Sequence, residues 1–102
     1  MVDYEVVLAR KERYQEKQRT IYVGNLNFRM EDWQLEDYFV QYGQVNKVHL
    51  SKDDTGRSKG FAHIVFDDRR DAINAVNEAS GAMLEGRAIR TGFANQGKGN
   101  RN

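Results

Sequence analysis

Cysteine is absent from the 102-residue chain. Its absence excludes a disulfide framework and any Cys-based zinc site. It also fits a reducing, intracellular setting, in the nucleus, the cytoplasm or an organelle. No apolar run approaches the roughly 20 residues of a membrane-spanning helix, and the N-terminal stretch lacks the apolar core of a signal peptide. No membrane partner is expected. Excess charge is small, a net +1 with a pI near 8.0, so attraction to any polyanion must come from where the cations sit. Histidine is scarce: only His49 and His63 occur, and neither stands in Ser-His-Asp or metal-ligand spacing. The stretch Gly56 to Gly60 has no P-loop pattern. The paired carboxylates Asp53-Asp54 and Asp67-Asp68 fall where turn and helix-cap residues are wanted. These absences argue against an enzyme and leave no expected cofactor or metal.

What the chain does contain is 39% apolar residues, 11% of the whole being aromatic, which suffices for the core of one small domain. The most informative stretch is Lys59-Gly60-Phe61-Ala62-His63-Ile64-Val65-Phe66. Read as a strand, its side chains alternate, with Ala62, Ile64 and Phe66 on one face and Phe61, His63 and Val65 on the other. The first set suits a core. The second places two flat rings on a face that should otherwise be polar, led by the cation of Lys59. Rings and a cation on an uncovered sheet form a platform for unpaired bases.

The remaining elements follow from periodicity. Residues 1–19 form a polar leader in which Tyr4, Val7, Leu8 and Tyr14 fall near helical spacing. It reads either as a frayed segment or as a helix docking onto the domain or a partner; Arg13 and Glu16 can pair at i, i+3. Thr20 to Leu26 reads as a strand, with Ile21 and Val23 inward and Tyr22 outward. Met30 to Tyr42 reads as a helix with Leu35, Phe39 and Tyr42 as its core stripe and Gly43 as its stop. Met30 stands where a Ser, Thr or Asp cap would be expected. Gln44 to Ser51 reads as a strand with Val45, Val48 and Leu50 inward and Lys47 and His49 outward. The change of phase between Val45 and Val48 predicts a bulge. Lys52 to Ser58 is a hairpin loop carrying Lys52 and Arg57. Asp67 to Ser80 reads as a second helix, capped by Asp67 or Asp68, with a narrow stripe of Ala72, Ala75, Val76 and Ala79. Met83 to Arg87 turns into a last strand, Ala88 to Ala94, with Arg90 and Gly92 outward. Residues 95–102 read as a flexible tail. The fold class is therefore α+β: a β-α-β-β-α-β ferredoxin-like sandwich, a four-stranded antiparallel sheet with two helices on one face, over residues 20–94.

The octapeptide at Lys59 resembles the RNP1 signature of the RNA-recognition motif family, and Ile21-Tyr22-Val23-Gly24-Asn25-Leu26 resembles its RNP2. Lys59, Gly60, Phe61, Ala62 and Phe66 match RNP1 outright, and Ile64 replaces Val. His63 departs from it, standing where the family usually has Phe or Tyr. The resemblance implies a single-stranded RNA partner. It implies that Tyr22 stacks one base, that Phe61 packs on a base or sugar, and that Lys59 contacts phosphate. His63 would take the place of the second RNP1 ring. Lys47, His49, Arg90 and Asn95 lie where base edges would be read, and Lys52 and Arg57 adjoin the platform where phosphate would lie.

A second reading is a protein-interaction module of the same fold. The acidic face at Glu31, Asp32, Glu36 and Asp37, or the leader, would then dock a partner. The retained Tyr22 and Phe61 oppose it as the main role, as does Arg87-Ala88-Ile89 where such relatives carry Arg-x-Phe. Ile89-Arg90-Thr91 together with the RNP2 stretch is also similar to the small subunit of the nuclear cap-binding complex. Gly92-Phe93-Ala94 then supplies no carboxylate to select a methylated guanine, so that role is set aside.

Overall fold

The computed structural model describes residues 15–94. Four strands form one antiparallel sheet: β1 (Thr20–Gly24), β2 (Val45–Lys52), β3 (Ser58–Phe66) and β6 (Arg90–Phe93), in the order β2-β3-β1-β6. Helices α1 (Asp32–Phe39) and α2 (Arg69–Ala79) join them, and a short hairpin, β4 (Met83–Leu84) with β5 (Arg87–Ala88), precedes the last strand. Ile21 and Val23 of β1 lie beside Ile64 and Ala62 of β3, and all four are buried with Phe66 against Leu35, Phe39, Ala72, Ala75 and Ala79. Both helices therefore sit on the face that these strand residues present, as expected for the two-layer fold.

The element boundaries move for identifiable reasons. Helix α1 begins at Asp32, not Met30. Gln34 reaches back so that its Oε1 accepts a 2.8 Å hydrogen bond from the Glu31 N–H, and Met30 is instead buried in the core. The helix tightens into a 3₁₀ turn over Val40–Tyr42 before Gly43. Burial pushes the Tyr42 phenol up to about 12, helped by its 3.1 Å hydrogen bond with the Tyr38 hydroxyl. Helix α2 starts at Arg69 because Asp68 caps it, its Oδ1 accepting from Arg70 N at 2.8 Å. Asp67 instead holds Asn46 at 2.9 Å. The predicted bulge is present: the β2–β3 register shifts between Val45 and Lys47.

β1 stops at Gly24, short of Leu26, with Asn25 in the left-handed region at φ 60°. Met83 to Arg87 is more than a turn. Glu85 (φ 48°) and Gly86 (φ 83°) form a two-residue loop with both φ values positive, which closes β4 onto β5. The last strand is accordingly confined to Arg90–Phe93, following the buried Ile89. Arg87 Nη2 donates to Asn25 Oδ1 at 2.5 Å and Asn25 Nδ2 donates to the Ala88 carbonyl at 2.8 Å, tying this hairpin to the end of β1.

Of the leader, residues 15–18 are helical. The pairing expected between Arg13 and Glu16 lies outside the described residues, as do Tyr4, Val7, Leu8, Tyr14 and the tail.

Candidate nucleic-acid interface

The sheet register sets the rows of the face opposite the helices. His49, His63, Tyr22 and Gly92 lie directly side by side across β2, β3, β1 and β6. One step along, Gly24 pairs with Arg90, and Phe61 precedes Ala62 on β3. The alternation that buries Ile21, Ala62 and Ile64 thus sends Tyr22, Phe61 and His63 to one surface. Their ring centroids form a triangle: Tyr22 to Phe61 is 5.9 Å, Tyr22 to His63 is 6.0 Å, and Phe61 to His63 is 6.3 Å. Tyr22 is 37% exposed, enough to offer a ring face to a ligand.

Gly24 explains how the Tyr22 ring is laid. A Cβ at Gly24 would collide with the Tyr22 ring and hydroxyl, so the ring lies along the strand over a residue without a side chain. At Gly92, across from Tyr22, an added Cβ would meet nothing within 4 Å. The floor beside the ring is therefore open.

Two imidazoles face one another here, His63 opposite His49. Partial burial, and then repulsion from His49, hold the His63 imidazole below the ordinary histidine range. In the free protein at neutral pH, His63 is thus a neutral ring set beside two phenyl-type rings.

The other residues expected at the site fall into separate places. Arg90 is exposed on the platform face. Lys47 is on the same face at its far end, but its Nζ is held 2.6 Å from the carboxylate of Glu16, on the helical turn that leads into β1. That turn is anchored: Thr20 Oγ1 donates to the Glu16 carbonyl at 2.7 Å, and Arg19 Nε donates to the Phe66 carbonyl at 2.8 Å. Val65, between Thr20 and Lys47 in the same row, is only 6% exposed although the strand alternation turns it away from the core. This end of the platform is closed. Lys52 ends β2 opposite Ser58. Arg57 and Lys59 turn toward a cleft beside the sheet, which they share with Phe28, Arg29 and Asp53. Asn95 lies outside the described residues.

Phe28 and Arg29 escaped the sequence reading because they sit in the β1–α1 loop, where no strand or helix period marks them. The one available signal was an aromatic beside a cation in an otherwise polar connection. Asp53 is the opposing charge in this cleft, and its Oδ1 is engaged by Thr55 Oγ1 at 2.7 Å, Thr55 N at 2.9 Å and Arg57 N at 3.0 Å. The Thr55 hydroxyl above all, then the Arg57 and Thr55 amides, hold that carboxyl below its usual range. Among the described residues no cluster of three metal-ligating side chains occurs, and no helix is long and apolar enough to cross a membrane.

Known proteins resemble this chain in sequence and in fold. The chloroplastic RNA-binding protein CP29B of Arabidopsis thaliana is 40% identical over 75 residues, covering 72% of this chain and 26% of that protein. A component of eukaryotic translation initiation factor 3 from Pyricularia oryzae is 42% identical over 76 residues, covering 74% of this chain and 25% of that protein. The chain thus spans about a quarter of the length of these curated relatives. Among solved structures, the RRM of RNA15 superposes with a TM-score of 0.71 at 31% identity, covering 74% of this chain and 88% of that one. The same domain with bound RNA (GU) gives 0.70 at 30% identity, covering 78% and 86%. The family model for the RNA recognition motif matches residues 21–90, from the strand that carries Tyr22 to the start of the strand that carries Arg90, and with it the chain belongs to the RNA recognition motif family.

Proposed function

We propose that this domain binds single-stranded RNA by stacking bases on Tyr22, Phe61 and His63. The observation that carries the reading is the triangle of rings, 5.9 to 6.3 Å apart, on the sheet face away from both helices. Each base has a flat face, so such a platform accepts unpaired nucleotides with little regard to sequence. Arg90 and His49 flank the rings and supply hydrogen bonds to base edges, with Asn95 just past the last strand. Lys59, Arg57 and Lys52 meet phosphates. Lys47 joins them only by exchanging Glu16 for phosphate. The role is binding rather than catalysis, in RNA processing or metabolism, within an intracellular compartment; the relatives' names, one a chloroplastic RNA-binding protein and one a component of a translation initiation factor, support that range.

Titrating the chain with short RNA oligomers while following amide shifts tests the reading. Shifts at Tyr22, Phe61 and His63 are expected. No shift there at saturating RNA would overturn it.

A second reading has one observation in its favour. Trp33 is 64% exposed on α1, among the exposed carboxylates Asp32, Glu36 and Asp37. A basic partner protein would dock there, on the layer opposite the RNA platform. Shifts confined to Glu31 through Asp37 on adding such a partner are its signature.

A further inference from the structure

We infer that the cleft between the β1–α1 loop and the β2–β3 loop is a separate nucleotide subsite, which takes one further base and its phosphate from a strand lying on the platform. This rests on the platform reading for the path of the strand. The cleft shares Arg57 and Lys59 with the platform, but its ring, Phe28, and its third cation, Arg29, belong to the β1–α1 loop and not to the sheet.

The cleft is open and about 870 Å³ in volume. That falls within the roughly 300–1,000 Å³ typical of sites that hold a small organic ligand. Phe28 stands in it 73% exposed, the most exposed large apolar side chain among the described residues. An apolar ring displayed so fully has no core role. The ring lies against Gly60: a Cβ there would come within 2.9 Å of Phe28 Cε1 and 3.4 Å of the Leu26 carbonyl. Gly60 has φ +87°, a conformation that glycine adopts without strain. Its N–H donates to Ser58 Oγ at 3.0 Å, and its carbonyl accepts from Leu26 N at 2.9 Å. The ring is thus supported from below by a fixed backbone and open on its other side.

The charges around it complement a phosphate. Arg29, Arg57 and Lys59 line the same cleft. The one carboxylate there, Asp53, is turned into its own loop by three hydrogen bonds to one oxygen. A flat ring with three cations around it matches the two chemistries of a nucleotide, a π-face and an anion. A purely apolar ligand would leave the cations without a role, and a simple anion would leave the ring without one. Continuity with the platform is direct: Gly60, under Phe28, is bonded to Phe61, and Lys59 joins the two.

The test compares RNA lengths. Random-sequence RNA pools of three and of seven nucleotides are titrated into the chain and into Phe28→Ala, Phe28→Tyr and Phe61→Ala variants. Three nucleotides suffice for the platform, and seven reach the cleft. Phe28→Ala is expected to weaken the heptamer about tenfold, the usual consequence of losing one stacked base, while leaving the trimer unchanged. Phe28→Tyr keeps a ring and should restore the heptamer. Phe61→Ala should weaken both lengths. An unchanged heptamer with Phe28→Ala, while Phe61→Ala weakens it, overturns the subsite and leaves the platform standing. Equal loss for trimer and heptamer with Phe28→Ala also overturns it, because the cleft would then be no separate site. Indifference to both Phe28→Ala and Phe61→Ala overturns the platform together with the subsite. Arg29→Gln guards against a folding artefact, since Arg29 is exposed and has no part in the platform. It should make the heptamer's salt dependence shallower by about 0.7 and leave the trimer's unchanged. An unchanged heptamer slope overturns the phosphate half of the inference.

Discussion

His63 carries two opposite pH effects. Its pKa in the folded chain lies below the ordinary value of about 6.5, through burial and then the neighbouring His49. Between those two values the unfolded chain holds the proton more readily, so folding stability should fall as pH drops through about 6.5. Urea denaturation at pH 7.5 and 5.5 checks this, and His63→Phe should flatten the difference. RNA acts in the other direction. Phosphate near the imidazole favours the charged form and raises its pKa, so binding takes up a proton and tightens as pH falls. His63→Phe should remove most of that pH dependence and keep affinity at high pH; if the dependence persists, the proton is on His49 or elsewhere. Gly24 is a second residue-scale case. Gly24→Ala should displace the Tyr22 ring and weaken RNA binding, and it should add nothing once Tyr22→Ala is present. An additive double variant would mean that Gly24 acts apart from the ring.

Among the elements, the turn before β1 changes what the platform offers. Glu16 occupies Lys47, so one of the cations expected on the platform is already paired within the chain. A surface ion pair contributes only about 0–1 kcal/mol, and Glu16→Gln should therefore cost little stability. It should free Lys47 for RNA and steepen the salt dependence by about 0.7, one more phosphate neutralised. An unchanged slope would show that Lys47 does not reach RNA. The strands were legible in the sequence because burial on one face imposes a strict two-residue period: Ile21 and Val23, then Ala62, Ile64 and Phe66, gave both the core and, by alternation, the platform. The change of phase at Val45 announced the bulge for the same reason. What stayed hidden has no period. Helix α1 is started by a Glu31–Gln34 reciprocity rather than a Ser or Asp cap. The β4–β5 hairpin is two residues per strand, too short to alternate. Phe28 and Arg29 sit in a loop, and Lys47 and Glu16 meet across a separation that no local pattern encodes.

At the scale of the whole molecule, a net charge of +1 means that RNA meets no strong general field. Affinity should come from stacking and a few local cations, with a salt slope between about −1.4 and −2.8 for roughly two to four phosphate contacts. A much steeper slope would bring cations of residues 1–14 or 95–102 into the interface. The two layers separate stability from binding. Phe66 is fully buried, and Phe66→Ala should cost about 3–5 kcal/mol of folding stability. Tyr22 and Phe61 lie on the other face, so the measurement that tests the stacking claim most directly is the RNA affinity of Tyr22→Ala and Phe61→Ala beside their thermal stability. Each variant is expected to remain folded and to lose about 1–3 kcal/mol of RNA binding. Folded variants with RNA affinity equal to that of the unaltered chain would contradict the claim.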